Sequence, residues 1–147
     1  MNRGMGPAGS SLVTGLALLL ATAAQANGAL IVEFIGLDSD EGRIATRLLD
    51  SPEQFLSRTH KPRRSTLVYI RDGKASWIID NLEFGHYVVS AFHDANTNGD
   101  IDTGLFGIPT EDYGFSNDAR GTFGPPDYED ALFEFKRNGQ KLTIRID

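Results

Sequence analysis

The chain has no cysteine. Disulfides, thiolate nucleophiles, thiolate metal sites and lipid attachment through a cysteine are all excluded. Basic charge is scarce: 14 Lys and Arg stand against 20 Asp and Glu, a net charge of −6. Such a chain is a poor partner for nucleic acid or anionic membrane surfaces and a reasonable one for cations. Histidine is limited to His60, His86 and His93. Helical periodicity is almost absent, and only one apolar run is long.

That run, Leu12 to Ala24, follows Arg3, the only charge before Glu33, and ends at Ala24-Gln25-Ala26. A single basic residue, an apolar stretch and small residues at the cleavage positions predict a secretory signal peptide over residues 1–26. The run is too short to cross a bilayer comfortably, so no membrane span is expected after cleavage. An uncleaved N-terminal anchor is the alternative. The expected product is one exported domain, residues 27–147, periplasmic or extracellular. That length suits a single core, and without disulfides the domain has to hold itself by packing, which a bound ion can assist.

Short β signals fill most of this domain. Leu30–Ile35 is apolar and β-branched, and Gly36 ends it. Arg43–Leu49 follows a polar turn, with Ile44 and Leu48 on one face, and the two segments read as a hairpin. Ser51-Pro52-Glu53-Gln54 has the cap and the first-turn proline of a short helix, which Phe55 and Leu56 are expected to pin to the core. The basic stretch 58–64 reads as a solvated loop. Leu67–Ile70 and Ala75–Ile79 flank the turn Arg71–Lys74. His86–His93 is the clearest strand, with Tyr87, Val89 and Ala91 on one face. Ala131–Phe135 and Leu142–Ile146 flank Asn138-Gly139, with Leu142, Ile144 and Ile146 facing inward. About seven strands at this spacing predict an all-β fold: an antiparallel β-sandwich, immunoglobulin-like or transthyretin-like, with a Greek-key connection.

Between His93 and Ala131 the strand pattern disappears. The segment is rich in glycine but contains Leu105, Phe106, Ile108, Tyr113, Phe115, Phe123 and Tyr128. It is too apolar for a solvated linker, so a long ordered loop packed on one end or edge of the sandwich is expected. Its first part, Asp94 to Asp102, carries a spacing that suits a hard cation. Asp94, Asn96 and Asn98 occupy alternate positions, Gly99 takes the tight turn, Asp100 offers a backbone carbonyl and Asp102 a further carboxylate. Leu105 stands where an EF-hand has its bidentate glutamate, and no helices flank the loop. A last ligand would come from Glu111, Asp112 or Glu41. Two asparagines in place of aspartates predict low-affinity calcium, in the range of roughly 0.1–1 mM, rather than magnesium. The bland alternative is a loop of Asx turns bonding its own backbone.

Three blocks resemble one bacterial exported family: Ala91-Phe92-His93-Asp94 running into Asn96-x-Asn98-Gly99; Gly107-Ile108-Pro109 followed by Tyr113-Gly114-Phe115-Ser116-Asn117; and Gly124-Pro125-Pro126 leading to Glu129-Asp130-Ala131. The family is Domain of Unknown Function 2141, and the resemblance covers essentially all of residues 27–147. It implies a single β-sandwich exported by Gram-negative bacteria, and it implies no activity. The 94–102 run is also similar to calcium loops in B-type repeats of Gram-positive surface proteins. That local likeness supports calcium and says nothing about adhesion.

Catalytic arrangements are thin. His93 beside Asp94, with Ser116 as nucleophile, suggests a hydrolase, but no Gly-x-Ser-x-Gly elbow surrounds Ser116. Asp112, Glu129 and Asp130 offer carboxylates with no fixed separation. His86 and His93 lie on opposite faces of one strand, which counts against a zinc site. Tyr113, Phe115, Phe123 and Tyr128 suit either a small core within the loop or stacking on a sugar. Arg120 can pair with Asp118 or Asp127 or take an anionic ligand. The sequence therefore predicts a non-enzymatic exported module with a structural calcium ion held by Asp94, Asn96, Asn98, Asp100 and Asp102. Its loop face would meet a protein or glycan. A hydrolase using His93 with a loop carboxylate, or an ion-free structural domain, are the alternatives.

Overall fold

The structure, a computed structural model, describes Met1, residues 26–57 and residues 59–147. The expected signal peptide therefore lies outside the described residues, apart from its two ends. Among the described residues, no helix is long and apolar enough to cross a membrane.

The described residues form a β-sandwich of eight strands in two sheets. The three-stranded sheet has the order β4 (Ala75–Glu83), β1 (Asn27–Ile35), β8 (Gln140–Arg145). The five-stranded sheet runs β3 (Arg64–Val68), β2 (Arg43–Leu49), β5 (Gly85–Asp94), β6 (Tyr113–Phe115), with β7 (Phe133–Phe135) also on β5. Two short helices, α1 (Pro52–Leu56) and α2 (Tyr128–Ala131), sit among the connections. Every strand pair is antiparallel except β1 with β8, which is parallel.

Period-two alternation builds the core. Leu30, Val32 and Phe34 of β1 meet Ile44 and Leu48 of β2, Tyr87, Val89 and Ala91 of β5, and Ile144 and Ile146 near the C-terminus. Each fully buried large side chain here contributes about 1.5–3 kcal/mol. Leu142 packs against this core from a half-buried position. A second cluster lies on the outer face of the five-stranded sheet. There Leu49, Val88, Ala119 and Ala131 are covered by Phe55, Phe115, Tyr128 and Leu132. Strand β5 is thus buried on both faces along part of its length, which accounts for the consecutive apolar residues Tyr87, Val88 and Val89.

Several expectations about neighbours are corrected. β1 and β2 do not form a hairpin; the Asp38–Gly42 turn carries the chain from one sheet to the other. The Arg71–Lys74 turn closes with a single bridge, and then β3 and β4 part into different sheets. β7 and β8, which flank Asn138-Gly139, also pair with different strands, β5 and β1. Alternation fixes which face of a strand is buried but carries no information about its partner. β1 pairs instead with β4 on one side and β8 on the other.

Ser51 caps α1 as expected, its Oγ accepting from Gln54 N at 3.4 Å. Phe55 packs onto the outer cluster, but Leu56 is exposed and pins nothing. The 59–64 stretch is largely exposed. The segment after His93 contains more regular structure than its sequence suggested. β6 adds to β5, and Ala131 ends α2 rather than opening a strand.

Candidate metal centre

Strand β5 delivers Asp94 to the edge of the five-stranded sheet. Even-numbered β5 residues face outward there, so Asp94 shares a face with Phe92 and Ser90, while His93 points into the sandwich. The following loop folds over Asp94 and removes it from solvent completely. Asp94 Oδ2 accepts from Gly99 N at 3.1 Å and from Arg43 Nε at 3.2 Å. Asp94 Oδ1 is equally buried and has no hydrogen-bond partner.

The rest of the loop is wound around side-chain oxygens. Asn96 Oδ1 accepts from Asn98 N at 3.1 Å and Asn98 Oδ1 from Asp100 N at 2.9 Å, two successive Asx turns. The two amide NH2 groups converge on Asp102: Asn96 Nδ2 reaches Oδ2 at 2.6 Å and Asn98 Nδ2 reaches Oδ1 at 2.9 Å. Thr97 has φ +60° and Gly99 φ +84°, so the chain makes its tight turn where the EF-hand spacing places it. Arg43 reinforces the bend by donating from Nη2 to Thr97 O at 3.1 Å.

Glu111 closes the loop from outside. Its Oε1 accepts from Ala95 N at 3.1 Å and its Oε2 from Asp102 N at 3.0 Å, so one carboxylate ties both ends together. Of the three residues considered for a last ligand, Glu111 alone meets the loop through its carboxylate. Asp112 and Glu41 are exposed, and each meets His93 by its backbone carbonyl: Asp112 O accepts from His93 N, and Glu41 O lies 2.6 Å from His93 Nε2. Among the described residues, no three Asp, Glu or His side chains stand close enough together to form a ready-made metal cluster. The amides of Asn96 and Asn98 stand between the carboxylates instead.

Beyond Asp102 the chain forms a small hairpin. Thr110 N donates to Asp102 O, Thr103 and Pro109 form an isolated bridge, and Gly104 N donates to Ile108 O. Its tip, Leu105-Phe106-Gly107, is apolar and exposed, with Phe106 at 97% exposure and φ +64°. A left-handed backbone is unusual for a bulky residue. The four loop aromatics divide: Phe115 and Tyr128 flank Phe55 in the outer cluster, Tyr113 lies against Phe115, and Phe123 is fully exposed. Arg120 takes the backbone carbonyl of Tyr113 and the carboxylate of Asp147 rather than Asp118 or Asp127.

The hydrolase set is not assembled. Ser116 is completely buried; its hydroxyl accepts from Val89 N and lies within bonding distance of Ala131 O. His93 faces the sandwich interior while Asp94 faces outward. His86 is exposed and His93 buried, so these two do not share a site.

The profile of a family described as uncharacterized protein conserved in bacteria (DUF2141) matches residues 32–143. The chain belongs to this family. No curated protein and no solved structure matches it. The DUF2141 match spans the whole sandwich from β1 into β8 and includes the complete 94–102 loop. It carries no activity, so the chemistry has to come from the residues.

Proposed function

We propose that this DUF2141 protein is an exported binding module. Its 94–102 loop holds a structural calcium ion and fixes a loop face for a protein or glycan partner. The observation that carries the ion is Asp94 Oδ1, a carboxylate oxygen fully buried without a partner. Leaving such an atom unsatisfied costs about 1–3 kcal/mol, more when the group is charged. A bound ion is one of the few things that explain it. The other oxygen is already held by Gly99 N and Arg43, which leaves Oδ1 as the ligand.

Asn96, Asn98 and Asp102, with the Asp100 carbonyl, would supply further oxygens, and Glu111 is the nearest additional carboxylate. Calcium suits this set better than magnesium because it accepts many oxygens in flexible geometry. Exposed Phe106 and Phe123 favour a loop face that meets a partner. Export is supported by the N-terminal sequence alone.

One observation favours a second reading. The Asx turns and the two amide bonds to Asp102 let the loop satisfy most of its own groups without an ion. A thermal melt in EDTA against millimolar calcium separates the two. Calcium is expected to raise the melting temperature. Identical melts would end the ion and leave the self-bonded loop.

A further inference from the structure

The outer face of the five-stranded sheet is not a plain solvated surface. Gly99, Ile101 and Pro109 of the loop, Phe55 and Leu56 of α1, and Gly124-Pro125 line it together with the strands. The result is an open groove of about 990 Å³. Strand register orders its floor into two rows. Leu67, Ala45, Phe92 and Tyr113 lie side by side across β3, β2, β5 and β6. The next row toward α1 is Ser65, Arg47, Ser90 and Phe115. The first row thus carries two aromatic rings, and the second, about 7 Å away along the strands, carries two serine hydroxyls and a guanidinium and ends on Phe115.

We infer that this groove binds a neutral oligosaccharide. It deepens the binding-module reading and depends on it, but not on the ion. A pyranose has an apolar face and a rim of hydroxyls, and the two rows offer a surface for each. Among the described residues, the charged ones lining the groove are one of each sign, Arg47 and Asp100, in a chain of net charge −6. That balance suits an uncharged ligand. An extended peptide finds no ladder in the floor, because β2 and β5 are paired on both sides. An acyl chain would strip water from Ser65 and Ser90 without replacing it. Arg47 is held in place by donating from Nη2 to Gln54 O and His60 O, each at 3.2 Å. The aromatic wall is braced as well: Tyr113 and Phe115 have ring centroids 6.0 Å apart, and the Arg120 guanidinium stands 5.9 Å from the Tyr113 ring.

The groove and the cation loop share a wall, since Gly99, Asp100 and Ile101 line it. The test is calorimetry on the intact protein with neutral hexasaccharides of glucose, mannose, galactose, xylose and N-acetylglucosamine, each to about 1 mM. Saturable binding of at least one is expected. Phe92→Ala removes the central ring of the floor, and Ser65→Arg fills the second row from an exposed position that tolerates a larger side chain. Each should weaken binding by about tenfold or more. The groove assignment is overturned if the folded protein binds none of the five, or if neither variant weakens binding. It is also overturned if charged sugars, peptides or phospholipid vesicles bind while neutral sugars do not. Sugar binding without a calcium-dependent melt removes only the ion; a calcium-dependent melt without sugar binding removes only the groove.

Discussion

Arg43 and Asp94 are register partners across β2 and β5, and their side chains meet with Nε 3.2 Å from Oδ2. The carboxylate is fully buried and the guanidinium side chain is 27% exposed. The pair locks the start of β2 to the root of the loop. Arg43→Met removes the cation bonded to this buried carboxylate. The expected loss is about 1–3 kcal/mol, between the values for exposed and buried pairs. Urea denaturation in EDTA measures it. A variant as stable as the parent would show that the pair does not anchor the loop.

Calcium at 100 times its dissociation constant should add about 2.7 kcal/mol, a rise of roughly 8–15 °C for a domain this size. Asp94→Ala should abolish the shift, and Glu111→Gln should reduce it. Scanning calorimetry at several calcium concentrations reads both. A full shift retained by Asp94→Ala would place the ion elsewhere.

Asp40 accepts from Gly73 N at 2.8 Å and Asp72 N at 2.9 Å, and these bonds hold its carboxyl below the ordinary value of 3.8. A carboxyl depressed on folding adds stability that is full above its unfolded value and is lost as pH falls through its folded value. The stability gap between the parent and Asp40→Asn should therefore be constant near neutrality and shrink below about pH 3.8. Denaturation curves across that window check it. A gap that widens with acid would refute the assignment.

Gly42 has φ +72°, and a Cβ added there would collide with the Asp94 carbonyl and the Ala95 backbone. The 94–102 loop is thus seated against the β1–β2 connection. Gly42→Ala should cost about 1–3 kcal/mol through strain and overpacking. It should also blunt the calcium-dependent melt. An unchanged melt would mean that the loop root has room to move.

Ser116 links β5 to α2 through Val89 N and Ala131 O while completely buried. Ser116→Ala should lower stability by about 1–3 kcal/mol by leaving the Val89 N–H unsatisfied. Urea denaturation checks this. A loss near zero would mean that water or a shifted backbone replaces the hydroxyl.

Strand faces were legible without coordinates. Tyr87, Val89 and Ala91 share a buried face because side chains alternate strictly along a strand. Ser51 announced α1 because a cap is a local hydrogen bond. The Asx turns of the 94–102 run were legible because Asn96 and Asn98 bond the backbone only two residues on. In each case the deciding interaction spans only a few residues. Leu56 misled because an apolar residue at a helix end has no tertiary contact written into its neighbours.

Composition and local pattern determined an all-β, cysteine-free, acidic domain with one oxygen-rich loop after its strongest strand. Only the tertiary structure decided that β1 pairs with β4 and β8 rather than β2, that Arg43 meets Asp94 from 51 residues away, and that Glu111 clasps the loop. It also ordered Leu67, Ala45, Phe92 and Tyr113 into one row. Alternation says which way a side chain points. Which side chain it finds there depends on non-local pairing, settled when two sheets bury their apolar faces together, and no short window of sequence contains that choice.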